Sequence, residues 1–358
     1  MVVIPGRFLV HPPIYDIQKS YAANVAEGPL FNDPIPPRPE KVQWIDFLGC
    51  TLNSPIGVPA GPLINSRWIA LAAQLGFDLL TYKTIRSQHH PGHPWPNMIF
   101  VKPDENKMAC SVQKSIAGLD DLTLTNSFGM PSQSREFLLE DIACALSMLK
   151  RGQEMIVSIV GTPRLGSDLV DDFIRAAAIA RDAGARFIEA NFSCPNVSKT
   201  EGMLYLDPDA VYRFARAIVQ AIGPTPLILK TGVFPSRQLL QKVLESAARA
   251  GASAVCGINS VSMKVLNAQG CSALGESRPT SGVCGAAIRA AALQWVGDAA
   301  SIIRQEKLGL TLLGCGGLMC PEHFDECLLQ GAAIAMSATA MMWDPYLALR
   351  THWRNVYQ

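Results

Sequence analysis

Eight hydrophobic runs of strand length recur along the chain: SPIGVPA, FDLLTYK, EMIVSIV, ARFIEANF, PLILK, ASAVCGI, LTLLGCGG and AAIAMSA. Each is nearly solid rather than alternating with polar residues, the pattern of a strand covered on both faces. Between them, Arg67–Leu75, Arg135–Lys150, Ser167–Ala183, Pro208–Ile222, Ser236–Ala250, Ala287–Gln305 and Pro321–Gln330 space their apolar residues at helical intervals. Buried strands alternating with amphipathic helices predict an α/β fold with a parallel sheet. Eight such units in roughly 310 residues predict a closed (β/α)₈ TIM barrel. An open doubly wound sheet uses the same alternation, but its GxGxxG mark is missing: the first strand ends in VPAGP.

Residues 1–45 are rich in proline (PPIYD, DPIPPRPE) and lack sustained periodicity, so they read as an N-terminal arm across the surface of a catalytic domain spanning 46–358. Arg86–Ser134 and Ser260–Gly285 are too long for simple connections and read as turn-rich insertions after strands. Barrels build their active sites from such excursions.

Composition narrows the function classes. With 358 residues, 49% of them hydrophobic, the chain can bury a large core. Lys and Arg total 31 against 30 for Asp and Glu, so no broad basic face for nucleic acid is expected. The apolar start MVVIPGRFLV is interrupted by Pro5 and Arg7 and is too short for a bilayer span. A soluble, cytoplasmic protein without a membrane partner is expected. Ten cysteines occur without a CxxC pair, which argues for reduced thiols and against zinc ribbons and iron–sulfur clusters.

The carboxyl ends of the strands should carry the chemistry. The second run ends in Lys83 and Thr84, the fourth in Asn191, Ser193 and Cys194, the fifth in Lys230 and Thr231, and the sixth in Asn259 and Ser260. A lysine closing a buried strand must either find a partner or reach solvent at the rim. The last two runs end in GCGG (Gly314–Gly317) and SATAM (Ser337–Met341), where backbone N–H groups and Thr339 could bind a phosphate. Such a ring of donors suits an anionic or carbonyl-rich planar ligand beside a phosphorylated one. On these grounds alone, Cys194 could be a packing residue, a metal ligand, a nucleophile or a proton carrier.

Taken in order, NSPIGVPAGP, LGFDLLTYKT, TNSFGMPSQ, IEANFSCPN, LILKTG, GINS, SGVCGAAI, LLGCGGL and SATAMM resemble the motifs of the dihydroorotate dehydrogenase family, from Asn53 to about Asp344. The resemblance implies an FMN-dependent oxidoreductase that interconverts dihydroorotate and orotate, or a closely related dihydropyrimidine or other heterocycle. It implies that FMN is held by Ala60, Gly61, Lys83, Thr84, Asn191, Lys230, Ser260, Gly285, Gly316, Gly317, Ala338 and Thr339. Substrate would be held by Lys83, Asn126, Gly129, Met130, Asn191, Asn196, Asn259 and Ser260. Cys194 falls on the base of the family's soluble class, and Lys83 joins it as a catalytic residue. The soluble relatives also imply a homodimer.

The chain departs from the family pattern at Phe128, where an aliphatic residue is usual, at Ser132-Gln133 after the loop proline, and in SQHHPGHPWPN with its three histidines. A phenyl ring at Phe128 would reshape the substrate pocket. His89, His90 and His93 could be metal ligands by type, but proline-broken spacing argues against a site, and no metal is expected. Two alternatives remain at this stage: a Schiff-base aldolase or lyase using Lys230, and a non-catalytic flavin-binding barrel.

Overall fold

The computed structural model describes residues 4–6, 11–40, 44–112, 118–163, 166–193 and 203–357. The eight runs form the strands Ile56–Val58, Leu79–Ile85, Glu154–Ile159, Phe187–Asn191, Leu227–Lys230, Ala254–Gly257, Thr311–Cys315 and Ile334–Met336. They pair in parallel, in chain order, and the eighth closes on the first to complete a barrel. The helices follow the predicted segments, with ends shifted by a few residues. Their starts are set by side-chain caps: Asn65, Ser134, Asp168, Asp207 and Ser236 each accept a hydrogen bond from a first-turn N–H.

Inside the barrel, Leu79, Ile156, Phe187, Ile228, Leu313 and Ile334 form an apolar layer. The hairpin Ile45–Phe47/Cys50–Leu52 inserts Phe47 and Leu52 into that layer, with the Phe47 ring 5.2 Å from Phe187. It plugs the amino-terminal end. Counting in twos along the strands from this layer reaches Lys83, Asn191, Lys230 and Cys315, so the strand period itself brings the polar ends to one opening.

The two long excursions differ from the turn-rich reading. They contribute Met98–Pro103, Met108–Ser111, Thr123–Asn126, Val261–Leu266 and Thr280–Gly285, which close into a second, five-stranded ring. Each strand has only four to six residues, too few for a clear alternation. The pairing of Asn126 with Gly282 and of Thr123 with Gly285 ties the first excursion to the second.

Residues 11–40 include side chains more deeply embedded than an arm across the surface would leave them. Ile14 and Tyr15 are 1% and 4% exposed, and a helix spans Tyr21–Glu27. Farther along, Arg38 makes a two-pronged ion pair with buried Asp78, while the carbonyls of Pro34 and Pro37 accept hydrogen bonds from Tyr346 and Trp353. Trp353 lies on the unpredicted helix Leu347–Tyr357, whose first residues are fully buried.

Candidate functional site

One cleft opens at the carboxyl ends of the barrel strands, with about 1200 Å³ of atom-free space including its mouth. Ala60, Gly61, Lys83, Thr84, Asn126, Gly129, Met130, Asn191, Lys230, Asn259, Ser260, Gly285, Gly316, Gly317, Ala338 and Thr339 all line it. Cys194 and Asn196 lie outside the described residues.

The asparagines are held in a network. Asn259 Nδ2 donates to the Ser193 carbonyl at 2.6 Å and to Asn191 Oδ1 at 3.3 Å, and Asn191 Oδ1 also accepts from the Ser193 N–H at 3.2 Å. Two strand ends are thereby locked to Ser193, the last described residue before Cys194. On the opposite wall, Asn126 is fixed through its carbonyl, which accepts from Ser281 at 2.7 Å, and its amide approaches Cys284 Sγ at 3.5 Å.

Between these walls runs the 127–132 loop. Buried Arg86 braces it by donating from Nε to the Met130 carbonyl at 3.1 Å and from Nη1 to Thr162 Oγ1 at 2.8 Å. Gly129, at φ +73°, has the His93 ring against it, and a β-carbon there would come within 2.6 Å of that ring. His93 Nδ1 in turn shares a hydrogen bond with Ser127 Oγ at 3.0 Å. His93 thus shapes the loop, and among the described residues the three histidines do not converge into a ligand group. Asp120, Cys320 and His323 do come together outside the cleft, their ligand-type atoms within 4.8 Å of one another. They sit by the start of the helix Pro321–Leu329, where Arg289 is paired with Glu326 at 2.9 Å.

Lys230 is 3% exposed and does not reach solvent. Its Nζ lies 3.0 Å from Cys315 Sγ and 3.3 Å from Cys256 Sγ. Burial opposes the ammonium charge, but Cys256, Cys315 and Glu189 outweigh it and hold the lysine pKa well above its ordinary value. Lys230 is therefore a fixed cation at the floor of the cleft. Lys83, 8% exposed, places its ammonium 5.6 Å from the centre of the Phe128 ring, a cation–π contact with the 127–132 loop.

The sequence profile of the dihydroorotate dehydrogenase family matches residues 44–352. The chain belongs to this family. It is 48% identical to a dihydroorotate dehydrogenase of Dictyostelium discoideum, over 97% of this chain and 98% of that one. It is 25% identical to the catalytic subunit of a dihydroorotate dehydrogenase B (NAD(+)) of Desulforudis audaxviator, over 84% and 87% of the two chains. Against a dihydroorotate dehydrogenase A (fumarate) of Limosilactobacillus reuteri the identity is 26%, over 49% and 54%.

Enzymes of the dihydroorotate dehydrogenase family are FMN flavoproteins, and the cleft's donors fit that group. Gly61 has φ +150°, and a β-carbon there would meet no protein atom within 4 Å, so this stretch of wall is left open. Gly316 and Gly317, at φ +124° and +69°, set the turn after the seventh strand and bring backbone close to the cleft, as a phosphate-binding loop requires. Lys230 adds a buried cation to the lining, a charge that would suit an anionic group of the cofactor.

Several lining residues escaped sequence reasoning. Cys284 and Cys315 line the cleft as well. The parity of Leu313 and Cys315 along one strand was the available signal for the latter. Tyr15 and Tyr21 also line the cleft, from a segment expected to lie outside the catalytic domain.

Proposed function

We propose that this chain is an FMN-dependent dehydrogenase that interconverts dihydroorotate and orotate, with the proton on one ring carbon exchanged by Cys194. The observation that carries the reading is the convergence of the glycine-lined wall, the two lysines and the asparagine network on one cleft. Bound FMN would supply the two-electron chemistry by taking up hydride from the substrate ring. Ala60, Gly61, Thr84, Lys230, Gly285, Gly316, Gly317, Ala338 and Thr339 would hold the cofactor. Lys83, Asn126, Gly129, Met130, Asn191, Asn259 and Ser260 would hold the substrate, Lys83 by charge and the asparagines by orienting ring carbonyls. Asn196 would join them and Cys194 would face the ring from the loop after the fourth strand. A thiol with an ordinary pKa near ~8.5 is largely protonated at neutral pH, so the exchange needs a local shift or a relaying water.

The Schiff-base alternative asks Lys230 to be a neutral nucleophile, and its two thiol contacts and raised pKa keep it protonated instead. We further propose a cytoplasmic homodimer whose first 45 residues act as an arm on the catalytic domain. No described helix is long and apolar enough to cross a membrane.

The test is anaerobic mixing of the purified yellow protein with dihydroorotate, with dihydrouracil as a comparison. Rapid bleaching of the flavin by dihydroorotate is expected, and Cys194→Ala should slow that bleaching by roughly 10²-fold or more while retaining FMN. Colourless protein that FMN cannot reconstitute, or a borohydride-trapped adduct on Lys230, would exclude the dehydrogenase. Unchanged bleaching in Cys194→Ala would remove the role given to the thiol.

A further inference from the structure

Tyr15 is the outlier among the buried tyrosines. Tyr82 donates its hydroxyl to Asp141 at 2.6 Å and Tyr346 to the Pro34 carbonyl at 2.9 Å. The Tyr15 hydroxyl, on a side chain only 4% exposed, has no hydrogen-bond partner among the described residues. A buried, unsatisfied hydroxyl is costly, and beside a cleft a bound ligand is one partner that can complete its bonding.

Its position supplies the ligand. Tyr15 lines the cleft, and its ring stands edge-on to Phe128 with centroids 5.9 Å apart; Tyr21 meets the same phenyl at 5.7 Å. Phe128 belongs to the loop that carries Gly129 and Met130, and Lys83 rests against its ring. The three aromatic rings therefore border the half of the cleft assigned to substrate.

The segment that brings Tyr15 there is built to hold still. Asn24, 2% exposed, accepts from the Asp16 N–H at 2.8 Å and donates to the carbonyls of Asp16 and Ser20 at 2.9 and 3.0 Å, which closes the chain around residues 16–24. Arg67 donates to the Val25 and Ala26 carbonyls, and Trp95 donates to the Ile17 carbonyl at 3.3 Å. At Gly28 even a β-carbon would strike the Trp68 ring, at 2.6 Å, so this turn sits flush on the barrel's first helix. A phenol fixed so firmly, with its hydroxyl unpaired, is preorganised for a ligand.

We propose that the Tyr15 hydroxyl donates a hydrogen bond to an oxygen of the bound ring substrate, a carbonyl or carboxylate of a dihydropyrimidine, so that the N-terminal segment completes the substrate half of the cleft. The proposal rests on the dehydrogenase reading above. Burial, then Asp16, holds the phenol pKa well above its ordinary value, so the group is a neutral donor throughout the physiological range.

Tyr15→Phe removes only the hydroxyl and keeps the ring against Phe128. In the FMN-loaded protein, orotate binding can be followed anaerobically through the change it causes in the flavin spectrum. Tyr15→Phe should raise the orotate Kd about tenfold, with FMN content unchanged and the melting temperature equal or higher. A Kd within twofold of wild type, or loss of FMN from the variant, would overturn the proposal. Wild-type holoenzyme that responds to neither orotate nor dihydroorotate would overturn the dehydrogenase reading, and the Tyr15 assignment with it. An altered Tyr15→Phe affinity in an otherwise responsive enzyme separates the two.

Discussion

Removing the Arg38 guanidinium should cost far more than a surface ion pair does. Asp78 is fully buried, and its two carboxylate oxygens are bridged by Arg38 Nη1 and Nη2 at 2.6 and 2.8 Å, with Ser54 Oγ as a further donor. At an effective dielectric constant of ~20, unit charges about 4 Å apart attract by about 4 kcal/mol. Arg38 itself is 22% exposed, so part of that attraction is screened. In Arg38→Ala the carboxylate stays behind with Ser54 alone, and stranding a buried charge costs about 3–5 kcal/mol. Screening places the expected loss near the lower figure, still a large share of the roughly 5–15 kcal/mol that stabilises a typical fold. Urea unfolding of the FMN-loaded protein, followed by tryptophan fluorescence, measures it. Arg38→Met combined with Asp78→Leu should recover most of the loss, because a packed apolar pair replaces two desolvated charges. An Arg38→Ala midpoint equivalent to less than about 1 kcal/mol, or a double variant no more stable than the single one, would refute the claim that this pair holds a desolvated charge.

Two more outcomes follow from neighbouring groups. His352 is 7% exposed, with Nε2 2.8 Å from the Gly76 carbonyl; burial first, then Arg38, lowers its pKa to about 4. Because the folded-state pKa lies below the unfolded one, its contribution is present above pH ~6.5 and lost as the pH falls through about 4, a difference of about 3 kcal/mol. His352→Gln should therefore flatten the acid side of the stability profile between those values, and an unaltered profile would count against the buried neutral imidazole. Lys230→Met should weaken FMN retention, read as the flavin-to-protein absorbance ratio after gel filtration, since the cation at the cleft floor is lost. Full retention with unchanged turnover would remove Lys230 from the cofactor site.

The barrel was legible because its signal is local and repeated. Each strand is a solid apolar run, and the lysine or asparagine ending it stands out against that background, as Lys83, Asn191 and Lys230 do. Gly316 and Gly317, after the seventh strand, were legible as cleft residues by their order in the chain. The five-stranded ring was not. Its strands are short, four of them pair with partners more than 150 residues away in sequence, as Asn126 does with Gly282 and Met108 with Lys264, and nothing in four to six residues announces such a partner.

The N-terminal segment shows the same limit from the other side. Periodicity reports on elements that bury one face of a regular structure, and residues 11–20 form none; they are placed by Asn24 and Trp95 acting on backbone carbonyls and an amide. Proline-rich composition correctly argued against a long helix or strand there, but it carries no information on whether a segment is buried. Tyr15 is thus hidden for a physical reason: its segment is held by contacts with Trp68, Trp95 and Phe128, all far downstream in the chain. Phe128 was the visible half of that arrangement. A phenyl ring where the family usually has an aliphatic residue gains a reason once two tyrosines stand against it, since edge-on aromatic packing fixes both the loop and the segment that covers it. Phe128 and the N-terminal segment are then packed as one unit at this side of the cleft, and replacing either partner should disturb the other.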